Sequence, residues 1–274
     1  GNTMKKYVIL STNWNPDYLY YVPLVVWAWR KFGWTPVVFY ENGNPAMDAL
    51  AHYTFQISGV MPFLLGAQDG GYRSDTITQV SRLYGACVVE SGYLMTSDID
   101  MIPLSDYWKF DPAEITVWGH DLTGFTHYPI CYIGMMAERW REVMGLTSSD
   151  YDALIKRDLD TLPQAKDPDF YKYWFSDQDL ITGRIDATTF PVKHNHRGQN
   201  PNGFAKGRVD RGDWNLQHNP FIDCHALRDI YKHSDTGVMN VSRTMRLLDR
   251  IWPDEPFQWF IDYTRQFQKL AKNG

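Results

Sequence analysis

Apolar positions in the first half of the chain fall into two alternating kinds of segment. Short unbroken runs, Tyr7-Val8-Ile9-Leu10, Pro36-Val37-Val38-Phe39-Tyr40 and Gly92-Tyr93-Leu94-Met95, have the length of buried strands. Between them apolar residues recur at helical spacing, as at Ile77, Val80 and Tyr84 in a helix predicted over about Asp75 to Tyr84. Asp17 is expected to cap a helix that runs to about Phe32 and closes at Gly33. A short helix near 46–52 and strands near 54–58 and 61–65 follow. Strand and helix alternating at this spacing imply an α/β fold with a mixed, mostly parallel sheet covered by helices on both faces. In such sheets the ligand lies beyond the carboxyl ends of the strands. The first strand runs there into the polar loop Ser11-Thr12-Asn13-Trp14-Asn15.

The second half is less regular. Strands are predicted near 115–119 and 129–135, and helices near 137–144, 149–157 and 177–183. A long segment over 194–219, rich in Gly, Asn and Arg, reads as a functional loop such as a lid. Helices near 225–232, 240–249 and 257–271 form a helical C-terminal extension. No linker or repeat interrupts the chain, so residues 1–274 are read as a single domain.

Composition narrows the function classes. Of 274 residues 15% are aromatic, with 11 Trp, 17 Tyr and 14 Phe. Either the core is built from rings or a concave site is lined with them. The net charge of −5 argues against non-specific nucleic-acid binding. Cys87, Cys131 and Cys224 form neither a disulfide framework nor a zinc motif, and free thiols suit a reducing compartment. The longest apolar run, Tyr18 to Trp29, has Pro23 inside it and is too short to span a bilayer. A cytoplasmic protein without a membrane span is the expectation.

The chemistry centres on Tyr93-Leu94-Met95-Thr96-Ser97-Asp98-Ile99-Asp100-Met101-Ile102-Pro103-Leu104. Two carboxylates one residue apart follow an apolar strand. In an extended segment residues i and i+2 point to the same side, so both can meet one hard cation, Mg²⁺ or Mn²⁺, which in turn holds a diphosphate. Asp-x-Asp recurs at 150/152, 158/160, 167/169 and 177/179. The pairs at 150/152 and 158/160 lie in a helical pattern where i and i+2 diverge, and surface solvation explains them. The pair at 167/169 reads as a turn or helix start.

The run SDTITQVSRLYGACVVESGYLMTSDIDMIPL resembles the centre of a GT-A-fold, nucleotide-sugar-dependent glycosyltransferase, with Asp75 and Arg82 on the helix before the strand and Asp98/Asp100 as the DxD motif. CYIGMMAERWREV (131–143) is similar to the Gly-containing strand and Trp-bearing helix found downstream. WFSDQDLITG (174–183) is similar to the acidic helix start of glycogenin-like enzymes, although Thr182 stands where an Asn is usual. The resemblance covers about residues 5–185 in order. The overall pattern is similar to the small chlorovirus-type enzymes that decorate capsid glycans, a xylosyltransferase among them, which places such a protein in the host cytoplasm.

The resemblance implies a single Rossmann-like GT-A domain, with a nucleotide-sugar-binding half over about 5–120 and an acceptor-binding half with the C-terminal helices over about 121–274. Thr12 and Asn13 would cradle the base, or only cap their loop. Asp75, Arg82 and Asp98 would contact the nucleotide or donor sugar. Asp98 and Asp100 would hold Mn²⁺ or Mg²⁺, with His225 as third ligand; His194, His196, His218 and His233 stay open for that role. Arg197, Lys206, Arg208 and Arg211 add positive charge to the long loop. The base candidates are Asp177, Asp179 and Asp75, and inversion is favoured over the retention that a role for Gln178 would imply. Trp14, Tyr18, Tyr72, Trp174 and Trp214 would line a sugar cleft, and Trp27, Trp29 and Trp140 the core.

The expected partners are a UDP-sugar donor and a glycan or glycoprotein acceptor, with a homodimer left open. Two competing readings are a metal-dependent phosphohydrolase, which lacks a recognised nucleophile motif, and a non-catalytic carbohydrate-binding protein, against which the intact Asp98 and Asp100 argue.

Overall fold

The computed structural model describes residues 4–66, 71–217 and 220–272. The first half builds the strands β1 (Lys6–Asn13), β2 (Thr35–Glu41), β3 (Phe63–Leu65), β4 (Tyr93–Thr96) and β5 (Met101–Pro103). The second half adds β6 (Ile115–Trp118), β7 (Ile133–Met136), β8 (Val192–Asn195), β9 (Arg208–Val209) and β10 (Asp223–His225). Seven strands form one sheet in the order β3-β2-β1-β4-β7-β6-β8. Only β7 runs against its neighbours β4 and β6, so the sheet is mostly parallel, as expected. A small second sheet has the order β5-β10-β9.

Successive residues of each central strand point to opposite faces, and each face has its own core. Val8, Leu10, Val38, Tyr40, Tyr93 and Met95 pack with helices α2 (Val22–Lys31), α3 (Asp48–Ser58), α9 (Asp235–Ile251) and α10 (Gln258–Lys272). Ile9, Val37, Phe39 and Leu94 pack on the other side, with α4 (Ser74–Ser81), α5 (Ala137–Met144), α6 (Tyr151–Leu159) and α8 (Ser176–Asp186). Most rings belong to these cores. Trp29, Trp34, Trp108, Trp118 and Trp140 are fully buried, and Tyr93 stacks on Phe110 with ring centroids 3.5 Å apart. Among the described residues no helix is long and apolar enough to cross a membrane.

Four expectations are corrected. The helix predicted over 17–32 is two helices, α1 (Pro16–Leu19) and α2, and Asn15 rather than Asp17 caps the first. Pro23 lacks an N–H and fits only a first helical turn, so the helix restarts there. Residues 54–58 belong to α3 and not to a strand. Leu50, Ala51, Thr54, Phe55 and Ser58 share its buried face, and Gly59, with φ of 69°, closes it. Residues 225–232 form no helix. His225 ends β10, which pairs antiparallel with β5. Finally, Asp158 is not a solvated surface acid. It is 1% exposed and is held by Tyr84 (2.6 Å), Arg157 (2.9 Å) and Arg184 (2.8 Å).

Candidate active site

Strand order reverses at β1. The chain runs outward from β1 to β2 and β3, then returns to place β4 on the other side of β1. The crevice beyond the carboxyl ends of two such strands is where open α/β sheets bind ligands. A cavity of about 360 Å³ lies there. Thr12 and Asn13 reach it from the end of β1, and Asp75 and Arg82 from α4 and the 3-10 turn behind it. Asp98 and Asp100 reach it from the turn after β4, Asp177 from the first turn of α8, and His225 from β10. Eight of the nine predicted site residues thus line one cavity. The ninth, Asp179, does not. On a helix i and i+2 face apart. Asp179 is exposed, and its carboxylate accepts from Gln164 at 3.2 Å.

Asp98 and Asp100 do not form the extended pair expected of them. Met101 N–H donates to the Asp98 carbonyl at 3.1 Å, so residues 98–101 make a turn. The two carboxylates have separate cationic partners. Asp98 accepts from Arg82, a fully buried guanidinium that also donates to Asp177 (3.0 Å) and to the Ser97 carbonyl (3.2 Å). Arg82 is therefore a hub joining two cavity carboxylates. Burial pushes the Asp177 carboxyl up to about 6, although Arg82 pulls it the other way. Asp75 accepts from the neighbouring Thr76 N–H (2.8 Å). Thr12 donates to the Asn13 carbonyl (2.9 Å), and Asn13 donates to Ser74 (3.1 Å) and accepts from Asn15 N–H (3.0 Å). These two residues brace their loop while facing the cavity.

His225 is brought to Asp100 by the β5–β10 pairing, which sets it opposite Met101 and lets Ala226 N–H donate to the Asp100 carbonyl at 2.9 Å. Its Nε2 lies 3.4 Å from Asp100, and its Nδ1 lies 3.3 Å from Asp210. Arg211 stands between Asp100 and His225. It donates to Asp100 at 2.9 Å and also contacts His225 Nε2. Burial opposes the imidazolium, but Asp100 and Asp210 outweigh it and raise the group to about 9; Arg211 works against them. Asp100 is held well below the usual carboxylate range by His225 and Arg211, against the effect of burial.

Among the described residues no three His, Cys, Asp or Glu side chains converge closely enough to hold a metal as they stand. Carboxylate oxygens such as those of Asp98 and Asp100 are the donor type that Mn²⁺ or Mg²⁺ takes. A cationic group, Arg211, already occupies the space between Asp100 and His225.

The long loop is less free than its composition suggests. Arg197 and Arg208 clamp the fully buried Asp223 with contacts of 3.0–3.1 Å, and Tyr132 donates to the same carboxylate at 2.8 Å. Asp121 accepts from the N–H groups of Arg197 (3.0 Å) and Gly198 (2.7 Å). Arg197 is thus a buried brace, and Lys206 is exposed and away from the cavity. Only Arg208 and Arg211 of the four predicted loop cations face the cavity, joined by Arg228, which sequence reasoning missed. Arg228 lies three residues beyond His225, and a helix predicted there hid the turn that aims it.

His194 and His196 pack with His120, His233 is exposed, and none of them lines the cavity; His218 lies outside the described residues. Of the five aromatic cleft candidates, Tyr18 and Trp174 line the cavity. Trp14 and Trp214 pack on the core instead, and Tyr72 is buried with its hydroxyl on Asp160.

No protein-family model and no curated protein matches the chain. Among solved structures it is similar to the apo form of the glycosyltransferase GlyE of Streptococcus pneumoniae TIGR4. Identity there is 10%, over 98% of this chain and 64% of that one, with a TM-score of 0.48. A second structure of the same protein gives 9% identity over 70% and 45%, with a TM-score of 0.40. The chain spans less than two thirds of either structure. A likeness this distant bears on neither activity nor substrate.

Proposed function

We propose that the chain is a metal-dependent glycosyltransferase that moves a sugar from a nucleoside-diphosphate donor, a UDP-sugar, to a glycan acceptor with inversion. The observation that carries this reading is the meeting of Asp75, Arg82, Asp98, Asp100, Asp177 and His225 in one cavity at the β1/β4 switch point, from segments up to 150 residues apart in sequence (75 to 225). The sequence resemblance named these residues together. A xylose donor and a capsid-glycan acceptor rest on that resemblance alone.

Asp98, Asp100 and His225 would hold Mn²⁺ or Mg²⁺, which when bound supplies Lewis-acid stabilisation of the diphosphate leaving group. Arg208 and Arg228 face the same cavity and add positive potential where an anion must sit. Thr12 and Asn13 offer the polar rim for the nucleoside. Tyr18 and Trp174 present ring faces suited to the C–H face of a sugar. Inversion requires one carboxylate to accept the acceptor hydroxyl's proton. Burial tunes Asp177 toward that task, and Arg82 fixes its orientation.

A second reading, retention, is supported by Gln178. This residue also lines the cavity, and its side-chain Oε1 is buried without a hydrogen-bond partner among the described residues. A panel of UDP-sugars, UDP-xylose included, incubated with Mn²⁺ and followed by NMR tests both. The proposal expects release of UDP from at least one donor, and the anomeric configuration of the first-formed product separates inversion from retention. Absence of UDP release from every donor would sink the transferase reading.

A further inference from the structure

The contacts of Arg211 are unusual for a loop arginine. Its guanidinium is one-fifth exposed, donates to Asp100 Oδ2 and lies against His225 Nε2. Those are the two atoms through which Asp100 and His225 would meet a divalent cation. Arg211 sits in the tight turn Asp210–Asp213, closed by Asp213 N–H on the Asp210 carbonyl (3.1 Å) and Gly212 N–H on the Asp210 carboxylate (2.8 Å). That turn is separate from the Arg197–Asp223–Arg208 clamp, so the Arg211 side chain can leave without undoing the clamp.

We propose that Arg211 is the resident counter-cation of the metal position, and that Arg211 and the divalent cation exclude one another there. The inference rests on the metal-dependent reading above and adds a residue to it. Two positive groups cannot occupy the same space beside the Asp100 carboxylate oxygen and the His225 ring nitrogen. For Asp100 and His225 to hold a divalent cation the guanidinium would have to leave, and the cavity that Arg211 already lines would receive it beside Arg208 and Arg228. An anionic diphosphate in that cavity gives the expelled guanidinium a partner. Cation and nucleotide then bind with positive coupling, each raising the affinity of the other by the same factor.

The test is Mn²⁺ binding, read from the electron paramagnetic resonance signal of free aqueous Mn²⁺, with and without UDP. Wild-type protein should bind Mn²⁺ weakly alone and more tightly with UDP. Arg211→Gln should bind Mn²⁺ alone about tenfold or more tighter than wild type and lose most of the UDP enhancement. Arg211→Lys, which keeps a cation in place, should stay near wild type and controls for damage to the turn. Arg211→Gln binding Mn²⁺ alone no tighter than wild type overturns this inference and leaves the metal-dependent reading intact. Wild-type protein that binds no Mn²⁺ even with UDP overturns both.

Discussion

At the scale of single residues, burial and charge pairing divide the labour among similar carboxylates. Asp98 and Asp100 differ from Asp177 in what surrounds them. Asp100 has two cationic neighbours and stays ionised, whereas burial outweighs the one guanidinium at Asp177 and raises it to about 6. A base works only when deprotonated, so the transfer rate should climb as pH rises through about 6 and level off above it. Asp177→Asn should lower kcat by about 100-fold or more and remove that acid limb, with nucleotide binding retained. Undiminished turnover, or an unchanged pH profile, would take Asp177 out of the base role. The apolar strand before them made Asp98 and Asp100 legible in the sequence, whereas Asp75 was named only through the resemblance to GT-A enzymes. It did not make Arg82 legible as a hub, because a buried guanidinium shared by residues 98 and 177 depends on long-range packing. Asp179 and Asp158 were misread for related reasons: helical phase turns the first away from the cavity, and tertiary partners draw the second into the interior.

At the scale of elements, the site depends on a small three-stranded sheet that periodicity missed. β9 and β10 are two and three residues long, too short to show an alternating pattern, and helical spacing suggested a helix after 225. What holds them is electrostatic. Arg197 and Arg208 converge on Asp223, which is wholly buried, and this clamp fastens β10, and with it His225, beside Asp100. Asp223→Asn leaves two buried guanidiniums without their anion and should destabilise the protein by about 3–5 kcal/mol in urea unfolding. A loss below about 1 kcal/mol, the range of an exposed ion pair, would show that the clamp is not what holds this sheet. The parallel core, by contrast, was legible almost strand by strand, because runs such as Val8-Ile9-Leu10 are apolar on both faces. The exception was α3, whose β-prone residues fold as helix because one face packs on α2 and α10.

At the scale of the whole molecule, the abundant rings and the acidic balance have separate explanations. Most rings fill the two cores on either side of the sheet, and only Tyr18 and Trp174 of the predicted cleft set reach the cavity. Negative net charge coexists with a cavity faced by Arg82, Arg208, Arg211 and Arg228. Asp75, Asp98, Asp100 and Asp177 line the same cavity and balance those arginines, so a divalent cation would supply the positive excess that an anionic diphosphate needs. The central claim is that this cavity binds a nucleoside diphosphate together with a divalent cation. Thermal-shift measurement with UDP, GDP and CMP, each with and without Mn²⁺, tests it most directly, with Asp100→Ala alongside. The account predicts that UDP raises Tm only when Mn²⁺ is present and that Asp100→Ala, still folded, loses the effect. No shift with any nucleotide, with stabilisation by free glycans instead, would contradict it.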